Sequence, residues 1–106
     1  MNKKHIGSRF IDSLHEWKKD PEFLYYFELA KEKDRLARIL KETREKEGLT
    51  QAQLAQKAAL TQSVIARIES TRSTVLPRLD IFNGIMHAMG YKTFITIKKE
   101  KVLVHA

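Results

Sequence analysis

The chain has 106 residues, a formal net charge of +7 from 20 Lys and Arg against 13 Asp and Glu, and no cysteine. This length suits a single domain with short appendages and excludes folds of about 250 residues, such as a complete (β/α)₈ barrel. The lack of cysteine excludes disulfides, thiolate zinc sites and thiol catalysis. The basic balance favours a polyanionic partner, although net charge alone does not decide the question.

The sequence contains no segment typical of export or of a membrane span. The basic residues near the start are not followed by the apolar stretch of a signal peptide. No run approaches the roughly 20 apolar residues that a spanning helix needs. We therefore expect a cytoplasmic protein that does not bind a membrane.

Residues 1–30 differ from the rest of the chain in charge and in aromatic content. They carry five basic and five acidic side chains, so that their net charge is zero, and they contain six of the nine aromatic residues. Apolar residues at positions 10, 11, 14 and 17 share one face of a short helix. We interpret this segment as an N-terminal helical extension.

A long helical stretch begins with the Asp-Pro pair at 20–21, because Asp can cap a helix and Pro suits its first turn. Helical composition continues to Glu47, and Gly48 is predicted to be a C-cap residue. The stretch is either one helix of about 26 residues or two helices with a break near 31–33. Its basic run, 31–46, is interpreted as a solvated face with i,i+4 ion pairs. The buried stripe is predicted to consist of Leu29, Leu36, Ile39, Leu40 and Thr43.

Three short helices are predicted after this stretch, the first two with caps at Thr50 and Thr61. A β-branched and aromatic run follows them and is predicted to be a strand. Because a lone strand in a helical chain leaves backbone groups unpaired, this strand needs a partner. The helices are predicted at 51–58, 62–70 and 79–89, with a loop at 71–78, and the strand at 93–98.

Residues 50–69 form a predicted helix-turn-helix, since two short helices with inward apolar residues are joined there by a tight turn. The outward face of the second helix then carries Gln62, Ser63, Ala66 and Arg67. Gln can pair with adenine N6/N7 and Arg with guanine O6/N7 in the major groove. The alternative is a helical bundle with accidental polar spacing, but the pattern, the caps and the residue types together favour binding to double-stranded DNA.

The same segment resembles the lambda-repressor/Cro-like (XRE-family) helix-turn-helix family. Thr-Gln-x-x-Leu-Ala from Thr50 is followed by Thr-Gln-Ser-x-Ile-x-Arg-Ile-Glu from Thr61, which is that family's signature. The resemblance covers residues 35–90 and implies an all-α, five-helix domain. The DNA contacts that follow from it are phosphate contacts by Gln51 and Thr61, base contacts by Gln62, Ser63 and Arg67, and a loop contact by Arg72.

The resemblance also implies one structural role and shows two departures from the family pattern. Glu69 is expected to buttress the domain rather than to contact DNA. The glycines usual at the turn and after the second helix are Ala59 and Thr71 in this chain, and the loop at 71–78 is slightly longer than common. We expect the fold to be kept despite these departures.

From about residue 8 to residue 98 the chain also resembles HigA-type antitoxins of bacterial toxin–antitoxin pairs. The resemblance rests on Phe-Ile-Asp-Ser-Leu-His-Glu-Trp-Lys-Lys-Asp-Pro from Phe10, an aromatic helix, the helix-turn-helix and the terminal strand. It implies a type II antitoxin that neutralises a RelE/HigB-like mRNA-cleaving toxin by direct binding and represses its own operon. Packing of the aromatic residues onto the domain is an equal alternative to toxin binding. The candidate toxin contacts are Phe10, Leu14, Trp17, Phe23 and Phe27.

The strand at 93–98 has three interpretations. Pairing with its twin across a two-fold axis supplies the missing hydrogen bonds, and a dimer places two recognition helices about 34 Å apart on a palindrome. The alternatives are an ordered tail and an edge that accepts a strand of the toxin. We favour a homodimer, in which Phe94, Ile95 and Ile97 are the dimerisation residues.

The predicted organisation is therefore an N-terminal extension at 1–30, a helix-turn-helix domain at 31–90 and a strand with a basic tail at 91–106. The four histidines share no ligand spacing, and no catalytic triad or phosphate-binding glycine loop is visible. We expect no enzymatic activity, metal, cofactor or small-molecule substrate, and association with the nucleoid. The alternatives to an antitoxin are a stand-alone or prophage-type repressor without a toxin, and a scaffolding protein that does not bind DNA.

Overall fold

The computed structural model describes residues 20–73 and 75–99, and these residues form four α-helices and no β-strand. The predicted all-α class is confirmed for this part of the chain. The helix predicted from Phe10 to Trp17 lies outside the described residues. The helices are α1 (Pro21–Lys46), α2 (Gln51–Lys57), α3 (Gln62–Glu69) and α4 (Leu79–Ala88).

Helix α1 is continuous, so that of the two alternatives for this stretch the single long helix is correct. Asp20 caps its start, because its carboxylate accepts a hydrogen bond of 3.0 Å from the Glu22 amide. Gly48 has a φ of +71° and the Leu49 amide donates to the Arg44 carbonyl over 3.1 Å, which is a Schellman ending. The predicted glycine cap is therefore confirmed.

Within the described part of 31–90 the structure contains the end of α1 and three short helices, rather than the five helices expected for this domain. The described residues of the 70–78 loop contribute no further helix. Ser70 and Arg78 both have extended backbone, with ψ of 131° and 145°. Pro77 fixes the residue before it away from helical geometry, which keeps the loop open up to the start of α4.

The two threonine caps differ. Thr50 forms a complete capping box with Gln53, with hydrogen bonds of 3.0 and 2.9 Å in the two directions. Thr61 also occupies an N-cap position, but its side chain makes no capping hydrogen bond. Both threonines therefore occupy the predicted N-cap positions, but only Thr50 makes a capping hydrogen bond with its side chain. The Thr61 hydroxyl lies 3.3 Å from that of Ser63 instead.

The hydrophobic core is built from all four helices. Leu40 of α1, Leu54 of α2 and Ile65 of α3 are completely buried, and α4 closes the core from the other side with Ile85. Leu36, Leu60 and several other half-buried apolar residues pack around this centre. The complete set of buried core residues is Leu40, Leu54, Ala55, Ile65, Ile68, Phe82, Ile85 and Met86.

The buried stripe of α1 differs from the prediction. Of the five residues predicted, only Leu40 is fully buried, and Ile39 is 39% exposed. The buried positions of the helix recur every three or four residues but include two cations, which an apolar pattern does not register. They are Lys33, Ala37, Leu40 and Arg44.

Residues Leu29–Ile97 form one compact unit, and the described residues 20–28 and 98–99 belong to a second one. The strand predicted at 93–98 is absent from the described chain. The physical reason is that a strand needs a neighbouring strand to pair with, and the described residues of this single chain provide none. No described helix is long and apolar enough to cross a membrane.

Candidate nucleic-acid interface

Helix α3 has an apolar inner face and a polar outer face. Ile65 and Ile68 are buried, and they anchor the helix to the core. Three polar residues of the same helix are exposed, and their side chains are the types that pair with base edges. They are the predicted base contacts Gln62, Ser63 and Arg67.

The amino-terminal end of α3 has no side-chain cap. The first amides of a helix lack partners inside the helix and need an acceptor from elsewhere. In α2 the Thr50 side chain accepts one of these bonds, whereas the Thr61 side chain accepts none in α3. The Val64 amide donates to the Thr61 carbonyl over 3.1 Å. Thr61 and Ser63 are exposed at this end, so that the two amides before Val64 are the ones placed for an external anion.

A buried ion pair attaches the other end of α3 to α1. Arg44 Nε and Nη2 donate to the two carboxylate oxygens of Glu69 over 2.7 and 3.0 Å, and Arg44 Nη1 donates to the Leu49 carbonyl over 2.7 Å. The hydrogen bond to Glu69 raises the pKa of Arg44 against the opposing effect of desolvation. The expected buttressing role of Glu69 is thus a bidentate pair with Arg44.

Gln51, a predicted phosphate contact, belongs to the same network. Its side chain is half-buried, and its amide nitrogen donates to Glu69 Oε1 over 3.1 Å. This bond holds the start of α2 against the end of α3. One donor of Gln51 is therefore used inside the protein, and its assignment to phosphate stays a prediction.

Lys33 of α1 is the second buried cation, with 2% of its surface exposed. Its ammonium nitrogen donates to the carbonyl oxygens of Ser70 and Ile68 over 2.7 and 3.0 Å, and to that of Arg67 over 3.5 Å. Desolvation by burial lowers the pKa of Lys33, while the charge of Asp34 acts in the opposite direction. The ammonium group therefore caps the carboxyl-terminal turn of α3 from outside.

The segment after α3 carries two more arginines, of which one lies beside Arg67. Arg72, a predicted DNA contact, is exposed, and its amide donates to the Ser70 hydroxyl over 3.1 Å. Arg78 lies at the start of α4 and pairs with Asp80 over 2.7 Å. Arg67 and Arg78 line the same cleft of about 210 Å³, whose apolar wall is formed mainly by the loop around Pro77.

The candidate toxin contacts fall mostly outside the described residues, where Phe10, Leu14 and Trp17 lie. The other two, Phe23 and Phe27, are half-buried and have ring centroids 5.7 Å apart. Between them in sequence is an edge-to-face pair of two tyrosines, 61% and 59% exposed. These tyrosines, which were not among the predicted contacts, are Tyr25 and Tyr26.

The candidate dimerisation residues are among the most exposed apolar side chains of the described part of the compact unit Leu29–Ile97. Phe94 and Ile97 are 78% and 91% exposed, and Ile95 is also largely exposed. The ammonium group of Lys92 lies 5.6 Å from the centre of the Phe94 ring. These three side chains are therefore accessible to another molecule.

Sequence reasoning did not identify Lys33 or Arg44 as part of this site. Both belong to the basic run 31–46, for which the sequence predicts a solvated face. The interpretation holds for Arg35 and Arg38, which are exposed and pair with acidic residues of the same helix. The usable signal for the other two was their spacing, since 33, 37, 40 and 44 lie on one helical face with buried Ala37 and Leu40.

Comparison with protein families gives one match. A family model described as a helix-turn-helix domain matches residues 35–90, which is more than half of the chain. The matched range contains α2, α3 and α4 and the part of α1 that includes Arg44. Comparisons with curated proteins and with solved structures give no significant match.

Proposed function

Because the chain belongs to the helix-turn-helix domain family, which binds double-stranded DNA and regulates transcription, we propose that it is a sequence-specific repressor that reads its operator with α3. The observation that carries this proposal is the outer face of α3. Gln62, Ser63 and Arg67 are exposed there on a helix whose inner face is fixed in the core. A rigid helix with exposed base-pairing side chains is what direct readout in the major groove needs.

In this mechanism the base contacts give specificity. Arg67 has a forked guanidinium that matches O6 and N7 of guanine, and Gln62 has an amide that matches N6 and N7 of adenine. Ser63, with a short hydroxyl, can donate to either type of base. Arg78 lines the same cleft as Arg67 and would place a second cation close to the DNA that Arg67 contacts.

Phosphate contacts would fix the register of the protein on the duplex. The open first turn of α3, next to Thr61, provides amides and a positive helix end for a phosphate. Arg72, on the exposed loop, supplies a positive charge for a second phosphate. Gln51 has a second amide N–H beyond the one that donates to Glu69, and this N–H can donate to a phosphate oxygen. These contacts supply affinity and salt dependence rather than sequence preference.

The test of this proposal is binding to the DNA upstream of the chain's own coding sequence. Gel shifts with Arg67→Ala and Gln62→Ala should each show a loss of about 1–3 kcal/mol, and selection from random DNA should show relaxed preference at one position. Lys46→Ala, an exposed charge change on α1, is the control and should bind nearly as the wild type does. Unchanged binding by both α3 variants would exclude α3 as the reading helix.

We further propose that the repressor is the antitoxin of a type II toxin–antitoxin pair and neutralises a RelE/HigB-like mRNA-cleaving toxin by binding it. The neutral, aromatic composition of residues 1–30 supports this, because binding to DNA does not explain it. The exposed Tyr25–Tyr26 pair adds aromatic surface of the kind enriched in protein interfaces. The chain would then act in the cytoplasm, at the nucleoid, by binding alone and without catalysis.

The competing proposal is a stand-alone repressor without a toxin partner, and one experiment separates the two. A RelE-like protein encoded beside this chain should be captured by it in a pull-down, and Phe23→Ala with Phe27→Ala should weaken the capture at least tenfold, by about 1.4 kcal/mol. Val75→Ala, an exposed apolar side chain elsewhere, is the control. Capture that survives removal of residues 1–19 and the double substitution would exclude this interface.

Dimerisation through residues 93–98 is the third part of the proposal. The exposed Phe94, Ile95 and Ile97 support it, since pairing with a second copy would bury them and supply the missing ladder hydrogen bonds. A two-fold dimer would also place two copies of α3 on successive major grooves. Sedimentation should give a dimer for the wild type and a monomer for Ile95→Lys, and a monomeric wild type would contradict the proposal.

A further inference from the structure

The ending of α3 differs from the endings of the other helices in the described residues. Helices α1, α2 and α4 each end in a Schellman motif with a left-handed residue, at Gly48, Ala59 and Gly90 respectively. Helix α3 instead continues into extended backbone at Ser70, whose amide makes a single bond of 3.3 Å to the Arg67 carbonyl. Its last carbonyl groups therefore need donors from outside the helix.

Lys33 supplies these donors. An ammonium group has three N–H bonds, and three carbonyl oxygens, those of Arg67, Ile68 and Ser70, lie within hydrogen-bonding distance. A positive charge at this place also complements the negative end of the helix. The side chain comes from α1, 34 residues before Arg67, and position 33 precedes the range 35–90 that the family model matches.

The carbonyl groups held by Lys33 belong to the backbone that carries the DNA-reading side chains. One of them is the carbonyl of Arg67 itself, the candidate guanine contact. Another belongs to Ser70, whose hydroxyl accepts the amide of Arg72 over 3.1 Å. We infer that Lys33 is a positioning residue for base readout, an inference that rests on the proposed function. Lys33 fixes the last turn of α3 and thereby the direction of the Arg67 side chain.

Burial separates this role from a direct DNA contact. With 2% of its surface exposed, Lys33 cannot reach a phosphate, and its three protons are used inside the protein. A lysine that binds phosphate contributes to the salt dependence of binding. A positioning lysine instead changes the ratio of the affinities for the right and the wrong base pair and leaves the salt dependence unchanged. The two roles therefore give different results when affinity is measured as a function of salt.

The experiment uses a duplex selected from random sequence by the full wild-type chain. The base pair read by Arg67 is the position at which Arg67→Ala loses its preference. Lys33→Met should lower discrimination at this pair about tenfold, leave the slope of log Kd against log salt unchanged, and have no added effect in the Arg67→Ala background. The control Lys46→Met removes an exposed lysine of the same helix and should leave discrimination unchanged.

The outcomes separate the two proposals. A wild-type chain that selects no sequence overturns the proposed function. Normal selection with unchanged discrimination by folded Lys33→Met overturns the positioning role alone, and so does an equal loss with and without Arg67. A reduced salt slope would instead assign Lys33 to a phosphate. If the Met variant does not fold, Lys33→Gln replaces it. Its amide nitrogen is one atom closer to the backbone than Nζ and has two N–H bonds for three carbonyl groups, so discrimination should again fall, and unchanged discrimination overturns the positioning role.

Discussion

The inner and outer faces of α3 differ in burial and in the role of their residues. On the inner side Ile65 is completely buried and the Glu69 side chain is 4% exposed, while on the outer side Gln62, Ser63 and Arg67 face solvent. The inner residues contact the core and α1, whereas the outer ones make no contact that the core depends on. Stability and DNA reading are thus assigned to separate side chains of one eight-residue helix, and substitutions can test this separation.

The largest expected effect is on the inner face. Ile65→Ala removes a completely buried side chain from the centre of the core and should lower the free energy of unfolding by about 3–4 kcal/mol, through lost burial and the cavity left behind. Urea unfolding followed by circular dichroism measures this loss. Ser63→Ala, two residues earlier on the outer face, is the matched control and should unfold at nearly the wild-type midpoint. Equal losses in the two variants would contradict the division into faces.

The next effect concerns the ion pair that ties α3 to α1. Glu69→Gln removes the carboxylate that Arg44 binds through two nitrogens and leaves the buried guanidinium with only the exposed Glu45 carboxylate, 3.9 Å away. We expect a loss of about 3 kcal/mol in the free energy of unfolding. Asp80→Asn breaks the exposed Arg78–Asp80 pair and should cost at most about 1 kcal/mol, which makes it the control. Similar costs for the two pairs would show that burial does not set the strength of the Arg44 pair.

The sequence alone was sufficient for the elements that local chemistry decides. Thr50 predicts the start of α2, and Gly48 predicts the end of α1, because both caps depend on residues within one helical turn. The apolar spacing of Ile65 and Ile68 predicts which face of α3 is buried, and by elimination which face is exposed. The outer face could therefore be predicted without a structure.

The features that the sequence did not reveal depend on groups far apart in the chain. Lys33 can be buried because three backbone carbonyl groups near Ser70 accept hydrogen bonds from its ammonium group. Every residue has a backbone carbonyl group, so the sequence does not show which ones will meet a lysine. Its burial thus has no signature in residue type. The strand expected at 93–98 is absent from the described single chain for a related reason, since β-propensity is a preference of the residues and pairing needs a partner strand. Thr61 has the residue type and the backbone position of a cap, but its side chain makes no capping hydrogen bond.

A smaller effect is expected at the turn before α3, which belongs to neither face. Ala59 has a φ of +58°, a left-handed conformation that strains a residue with a β-carbon by about 1–2 kcal/mol. Ala59→Gly removes this strain but increases the entropy of the unfolded chain, so that the net gain in stability should be about 0.5–1 kcal/mol. Ala52→Gly within α2 is the control and should destabilise by a similar amount. Thermal unfolding midpoints that move in the same direction would contradict the strain at Ala59.

The smallest effect on stability is expected from the outer face itself. Arg67→Ala removes an exposed side chain but keeps the backbone carbonyl that Lys33 and the Ser70 amide bind. The free energy of unfolding should therefore stay within about 0.5 kcal/mol of the wild type, although the same variant is expected to lose DNA affinity. Urea unfolding and gel shifts on one preparation give both numbers. A clear loss of stability would mean that the Arg67 side chain also supports the fold, and that weaker DNA binding by this variant could not be attributed to a lost base contact.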